Sequence, residues 1–284
     1  EPDGSTTVTE AGGTDTFTVV LNAQPDANVI LSIISGDTGE ATVTSSLTFT
    51  SANWDTAQVV TVTGIDDDLV DGTVTSSITI SIVDVASDDN FDAVADQTVS
   101  VSTTDDDVAG FTVSETEGST TVTEAGSTDV LNVVLNAQPD SDVVLSITSS
   151  DTGEAIANSP LTFTSANWDT AQVVTVTGVD DDLIDGTISS NLLIAIVDAS
   201  SDNNFDAVAD QTVSVSTTDD DVAGFTVSET EGSTTVTEAG STDVLNVVLN
   251  AQPDSDVVLS ITSSDTGEAT VTSTLTFTSA NWDT

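Results

Sequence analysis

The phrase SANWDTAQVVTVTG begins at Ser51 and returns unchanged at Ser165, and its first six residues return again at Ser279. Trp54, Trp168 and Trp282 therefore stand 114 residues apart. A period of this length is far beyond the roughly 20 to 50 residues of a solenoid repeat and matches a whole domain. The chain divides on this pattern into units 1–107, 108–221 and 222–284, the last carrying only the first half of the pattern. Segments 115–170 and 229–284 differ at four positions, all within IANSP against TVTST, so one fold is being repeated. The third unit lacks the strands equivalent to residues 57–103, so its core face needs either further sequence or another copy to cover it. With Glu1 in place of an initiator Met, the chain reads as an excerpt or a processed product.

Each unit reads as β throughout. The runs TFTVVLN, NVILSIIS, SLTFT, AQVVTVTG, SSITISIVDV and QTVSVST are rich in Val, Ile and Thr, and several alternate apolar with small polar residues. In SSITISIVDV, Ile78, Ile80 and Ile82 share one face while Thr79 and Ser81 take the other, the pattern of a strand with one dry face. AQPD, SGDTG and DDNFD punctuate the runs, and no segment has useful helical periodicity. Adding STTVTE gives about seven strands per unit, which fits an immunoglobulin-like antiparallel sandwich. Parallel pairing is not expected, because the sequence offers no crossover helices. The expected class is all-β, a tandem series of Greek-key β-sandwiches of about 114 residues each. One Trp per unit beside a strand reads as a plug at the sandwich edge rather than a ligand platform.

The chain holds 49 acidic residues and no Lys, Arg or His, so it cannot neutralise its own charge. At 37% hydrophobic residues it is nonetheless apolar enough to fold. Cysteine is absent, which removes disulfides and thiolate metal sites. A formal charge of -49 repels nucleic acid and anionic membranes, and no apolar run is long enough to span a bilayer. The expected companions are cations.

Their place can be read from the strands. Asp66, Asp67 and Asp68 follow the strand ending TVTG, and Asp71 precedes the next strand; Asp180, Asp181, Asp182 and Asp185 repeat this. A second triplet, Asp105, Asp106 and Asp107, repeated as Asp219, Asp220 and Asp221, lies between the last strand of one unit and VAGFTVSE of the next. If both triplets meet at one end of the sandwich, each carboxylate pair at ~4 Å repels by roughly 1 to 4 kcal/mol. A hard divalent cation taking oxygen ligands relieves this, and calcium suits irregular loops better than magnesium. DDDLVDG has neither the spacing nor the flanking helices of an EF-hand. DDNFD, with Asp88, Asp89 and Asp92, reads as an ordinary hairpin tip.

At TVTGIDDDLVDG and TTDDDVAGFTVSE the chain resembles the calcium-binding β domains called Calx-β, known from sodium/calcium exchangers and from tandem modules of giant bacterial surface proteins. FTSANWDTAQVVTVTG is similar to the bacterial members. The resemblance implies a further ligand, a Glu near the first strand, here Glu10 of TVTEAGG and Glu124 of the second unit. The implied calcium ligands are thus Glu10, Asp66, Asp67, Asp68, Asp71, Asp105, Asp106 and Asp107, then Glu124, Asp180, Asp181, Asp182, Asp185, Asp219, Asp220 and Asp221. The family's acidic ligand from a middle loop is not carried over, because SGDTGEA, with Asp37 and Glu40, is shorter.

Catalysis is not expected, since no His, Cys, Lys, Arg or Tyr is present to activate a Ser or Thr. The expected function is an extracellular structural repeat, a calcium-rigidified spacer, stalk or filament-forming segment of a large cell-surface protein or adhesin. Its partners would be calcium, the neighbouring repeats and possible further copies in a filament. A calcium-sensing regulatory module and a ligand-binding adhesive domain are the alternatives. Near-identical units favour the spacer, because repetition alone lengthens a rod.

Overall fold

The computed structural model describes residues 5–284. The first sandwich contains β1 (Thr6–Thr9), β2 (Thr14–Val19), β3 (Val29–Ser35), β4 (Ala41–Val43), β5 (Ser46–Phe49), β6 (Gln58–Gly64), β7 (Val74–Ile82) and β8 (Gln97–Thr104). One sheet runs β1-β8-β7-β3-β5 and the facing sheet β2-β6-β4. Alternation works as read: Val29, Leu31 and Ile33 of β3 point inward, with Val60 and Val62 of β6, and Phe17 and Phe49 fill the space between the sheets. Ile78 and Ile80 are buried in the same core and Ile82 packs at its margin.

The second sandwich contains β9 (Phe111–Glu115), β10 (Thr120–Thr123), β11 (Thr128–Leu135), β12 (Val143–Ser149), β13 (Ala155–Ala157), β14 (Leu161–Phe163), β15 (Gln172–Gly178), β16 (Ile188–Ile196) and β17 (Gln211–Thr218). Its sheets are β10-β17-β16-β12-β14 and β13-β15-β11-β9. The remaining strands, β18 (Phe225–Glu229), β19 (Leu245–Leu249), β20 (Val257–Ser260) and β21 (Thr274–Phe277), form two separate pairs, β18-β19 and β20-β21. Phe225 is 55% exposed there, against 3% for its counterpart Phe111.

Two expectations need correction. Pairing is not antiparallel throughout: β1 runs parallel to β8, with Thr6 beside Val101, and β10 runs parallel to β17. No crossover helix is needed, because the connection between each pair is the rest of the sandwich. The strand number also exceeds seven. The three-residue β4 and β13 border the smaller sheets, and FTVSE and TTVT are separate strands in opposite sheets, so the chain crosses from one layer to the other between β9 and β10.

The DDNFD segment is more than a hairpin tip. Residues Asp89–Phe91 form a 3-10 turn, and the buried Asp88 accepts hydrogen bonds from the amides of Asp26 at 2.6 Å, Ala27 at 2.9 Å and Asn90 at 3.0 Å. These bonds hold its carboxyl below the usual carboxylate range. Trp54 and Trp168 are half-buried. Trp168 packs against the second core, and their carbonyls accept the amides of Leu21 and Leu135, both at 3.1 Å.

Candidate metal centre

The short β1 ends at Thr9, and the chain turns back into β2 across the end of the sandwich. Glu10 begins that turn, anchored by its amide to the carbonyl of Thr104 at 3.1 Å. The Gly64 amide binds the Gly13 carbonyl at 2.9 Å, closing the turn against the end of β6. A Cβ on Gly64 would collide with the Thr9 carbonyl oxygen, and one on Gly178 would collide with that of Thr123. Only a glycine at the end of TVTG lets the first-strand turn lie on the start of the acidic loop.

Glu10 is 1% exposed, and around it the structure gathers two groups of carboxylates. Glu10, Asp105 and Asp107 each offer an oxygen within 4.8 Å of the others, and so do Glu10, Glu40 and Asp71. The second sandwich repeats both groups, with Glu124, Asp219 and Asp221, and with Glu124, Glu154 and Asp185. The loop carrying the junction triplet is ordered from within. Asp105 Oδ2 accepts the amides of Asp71 at 3.1 Å and Gly72 at 2.7 Å, and its Oδ1 accepts that of Asp107 at 2.7 Å. Asp219 likewise accepts from Gly186 at 2.8 Å and Asp221 at 2.7 Å.

The electrostatics run against an ionised cluster without a counter-ion. Burial, followed by the charges of Asp105, Asp67, Glu40 and Asp71, pushes the Glu10 carboxyl up to about 7. Burial and then Asp185, Asp181, Asp219 and Glu154 push Glu124 up to about 7. Glu40, Asp71, Asp107, Glu154, Asp185 and Asp221 are raised as well, each by burial first and by neighbouring carboxylates after it. Oxygens of Glu10, Glu40, Asp71, Glu124 and Glu154 are buried with no hydrogen-bond donor among the described residues. Orphaned buried carboxylate oxygens cost a fold several kcal/mol unless something positive meets them. An all-oxygen donor set of this kind fits a hard cation such as calcium and is unsuited to a soft one.

Not every residue singled out from sequence joins these groups. Asp66, Asp68 and Asp106 are exposed, as are Asp180, Asp182 and Asp220, and none belongs to the two tight groups. Asp66, Asp68 and Asp106 act as charges on Asp107. Asp67 and Asp181 act on Glu10 and Glu124, and each holds its own loop by accepting an amide, Leu69 at 2.8 Å and Leu183 at 2.7 Å. Glu40, set aside in the sequence because its loop is short, and its counterpart Glu154, which was not singled out, belong to the groups around Asp71 and Asp185. The signal available in the sequence was the repeat of the loop, GDTGEA at Gly36 and SDTGEA at Ser150, and the structure buries both glutamates. Asp37, three residues earlier, turns instead to the Gly39 amide at 3.0 Å.

The loop that brings Asp71 to the cluster also touches the next sandwich. The Gln138 amide donates to the Asp68 carbonyl at 2.7 Å, and the Val70 amide donates to the Gln138 carbonyl at 3.1 Å, an isolated parallel bridge. Val70 packs against the second core, and its carbonyl accepts Asn204 Nδ2 at 2.6 Å. The same bridge recurs between Leu183 and Gln252, with Gln252 donating to Asp182 at 2.7 Å.

No protein-family model matches the sequence, and no curated protein matches it. Among solved structures, the chain is similar to the calcium binding domain CBD12 of CALX1.1, at 18% identity and a TM-score of 0.30 over 68% of this chain and 78% of that one. It is also similar to the apo form of the Calx CBD1 domain, at 14% identity and a TM-score of 0.30 over 40% of this chain and 100% of that one. Domains 1-6 of the surface layer protein SbsC align at 14% identity and a TM-score of 0.32, covering 81% of this chain and 25% of that chain.

Proposed function

We propose that the chain is a calcium-stiffened spacer of an extracellular or cell-surface protein, in which units 1–107, 108–221 and 222–284 are Calx-β-like modules in series. Glu10, Glu40, Asp71, Asp105 and Asp107 hold calcium in the first unit, with Asp67 adding charge close by. Glu124, Glu154, Asp185, Asp219 and Asp221 do so in the second. The reading is carried by one observation: Glu10 and Glu124 are each 1% exposed, carry orphaned oxygens, and face carboxylates from three other segments. Two ions per module sharing the central Glu is the arrangement that two overlapping groups favour.

The position of the cluster supports the spacer reading. Asp71 and Asp105 belong to the loops that enter the junction, and Asp68 and Val70 of the same loop are bonded to the next sandwich. An ion that fixes Asp71 therefore fixes the segment gripping the neighbour. A spacer is favoured over a sensor because both junctions use the same bridge, Leu69 with Gln138 and Leu183 with Gln252, so the geometry propagates instead of converging on one switch.

Isothermal titration of the chelator-treated chain with calcium and with magnesium tests this. The expected result is heat of calcium binding at several sites per chain with weaker binding of magnesium, accompanied by a rise in melting temperature. Calcium that neither binds nor raises the melting temperature would remove the reading.

A further inference from the structure

Aspartate is followed by glycine at 71–72 and again at 185–186; a third such pair, at 3–4, lies outside the described residues. This pairing carries a reactivity of its own. The main-chain nitrogen of the residue after an aspartate can attack the aspartate's Cγ and close a five-membered imide, and glycine puts no side chain in the way. At both places there is room for the ring. Gly72 and Gly186 have φ of 75 and 79°, both are exposed, and a Cβ built on either would meet nothing within 4 Å.

The difficult part of this reaction is the nitrogen, because an amide must give up its hydrogen to become a nucleophile. In a strand ladder that hydrogen points at a carbonyl, far too weak a base to take it. Here it points at a carboxylate. The Gly72 amide donates to Asp105 Oδ2 at 2.7 Å, and the Gly186 amide donates to Asp219 Oδ2 at 2.8 Å. A carboxylate at hydrogen-bond distance from the proton to be removed has the geometry of a general base. Asp105 is held there by accepting the amides of Asp71 at 3.1 Å and Asp107 at 2.7 Å, and Asp219 by accepting that of Asp221 at 2.7 Å. On the side of the electrophile, no donor among the described residues meets Asp71 Oδ1.

We propose that Asp71 and Asp185 are sites of spontaneous covalent modification, cyclising onto Gly72 and Gly186 with Asp105 and Asp219 as the bases. The Gly72 nitrogen bonds to Cγ of the Asp71 carboxylic acid while its hydrogen passes to Asp105. The Cγ–OH bond breaks and the hydroxyl leaves as water with that proton, so Asp105 is restored. Water then opens the imide. Entry at Cγ returns aspartate, whereas entry at the main-chain carbonyl leaves isoaspartate, with the chain running through Cβ and Cγ. The product lengthens the main chain by one carbon in the loop whose Asp68 and Val70 are bonded to the next sandwich, so the modification strikes the junction. The chemistry needs no ion and does not depend on the cation reading.

Ageing the full chain in chelator, at neutral pH and physiological temperature, tests this when its peptides are then mapped for isoaspartate by electron-transfer fragmentation. Isoaspartate should accumulate at 71 and 185 faster than at the same pair in a free peptide of residues 65–76, IDDDLVDGTVTS, which lacks the base. Asp105→Asn keeps an acceptor oxygen but not its basicity, so it should slow the reaction at 71 by about tenfold or more and leave 185 unchanged. Asp219→Asn should do the reverse. Melting curves show whether each variant keeps both sandwiches folded, and if one variant unfolds the other carries the comparison. Rates at 71 and 185 no faster than in the peptide overturn the proposal. So does a folded variant that ages at both places like the parent.

Discussion

The main-chain amide of Gln138 donates to the carbonyl oxygen of Asp68 at 2.7 Å, so a residue of the second sandwich is bonded to the acidic loop of the first. The loop has two attachments. Its far end, at Asp71, is bonded to Asp105 and faces Glu10 and Glu40, while its middle is bonded to the neighbour. The two attachments stand three residues apart on one short loop.

Glu10→Gln should have opposite effects with and without calcium. In chelator it removes a buried like charge from the cluster, so the melting temperature should rise. In calcium it removes a ligand, so the calcium-dependent stabilisation, about 2.7 kcal/mol at a hundredfold excess over the dissociation constant, should shrink. Thermal melts in both conditions check this, and a variant that shifts the two melts equally would contradict it.

The calcium-free protein should lose stability as the pH rises. Glu10 and Glu124 titrate near 4.5 when unfolded and at about 7 when folded. Between these values the folded state binds more protons than the unfolded state, so the free energy of unfolding falls with increasing pH. Urea titrations in chelator should therefore give a higher midpoint at pH 5 than at pH 8. With saturating calcium, which holds the carboxylates ionised, the fall should be suppressed or reversed.

Gly64→Ala should destabilise the first sandwich by about 1 to 3 kcal/mol, the cost of forcing extra volume into a packed site. The obstacle is the Thr9 carbonyl, a main-chain atom that cannot rotate away. Because that strain displaces the turn carrying Glu10, calcium affinity should drop with it. Denaturant midpoints and calcium titration of the variant are the measurements.

Asp88→Ala should lower the melting temperature by the same amount in calcium and in chelator. Asp88 carries as much formal charge as any ligand, yet its oxygens are already taken by the amides of Asp26, Ala27 and Asn90. A calcium-dependent change in this variant would mean that a second kind of ion site exists.

Replacing Asp105, Asp106 and Asp107 with Asn should make the full chain more compact at millimolar calcium, read as a shorter maximum dimension in small-angle scattering, without unfolding either sandwich. The parent chain should shorten on chelation, and the variant should respond less, through the groups it retains. If both stay equally extended under every condition, the Leu69–Gln138 bridge and the packing of Val70 set the stiffness without help from the ion.

The sequence by itself determined the repeat, the β class and the ends at which acidic residues collect. Those properties are local or periodic: the alternation in SSITISIVDV places Ile78 and Ile80 inward whatever lies opposite, and DDD after TVTG has nowhere to go but a loop. Asp71, Asp105 and Asp107 were legible as candidates from their place at fixed strand ends, and Glu10 only through its resemblance to a known pattern. Only the tertiary structure decided which acids face one another. Glu40 reaches Glu10 and Asp71 across three segments, while Asp66 and Asp68 stay in solvent, as does Asp106 between the drawn-in Asp105 and Asp107. The difference lies in which way a carboxylate points from a loop, and that is set by bonds such as Asp105 to Gly72 between residues 33 apart. The parallel pairing of β1 with β8 was hidden for the same reason, since its two strands are joined only through the whole sandwich. The bond from Asp68 to Gln138 also belongs to the tertiary level, because a loop's residues leave its partner to the packing of distant chain.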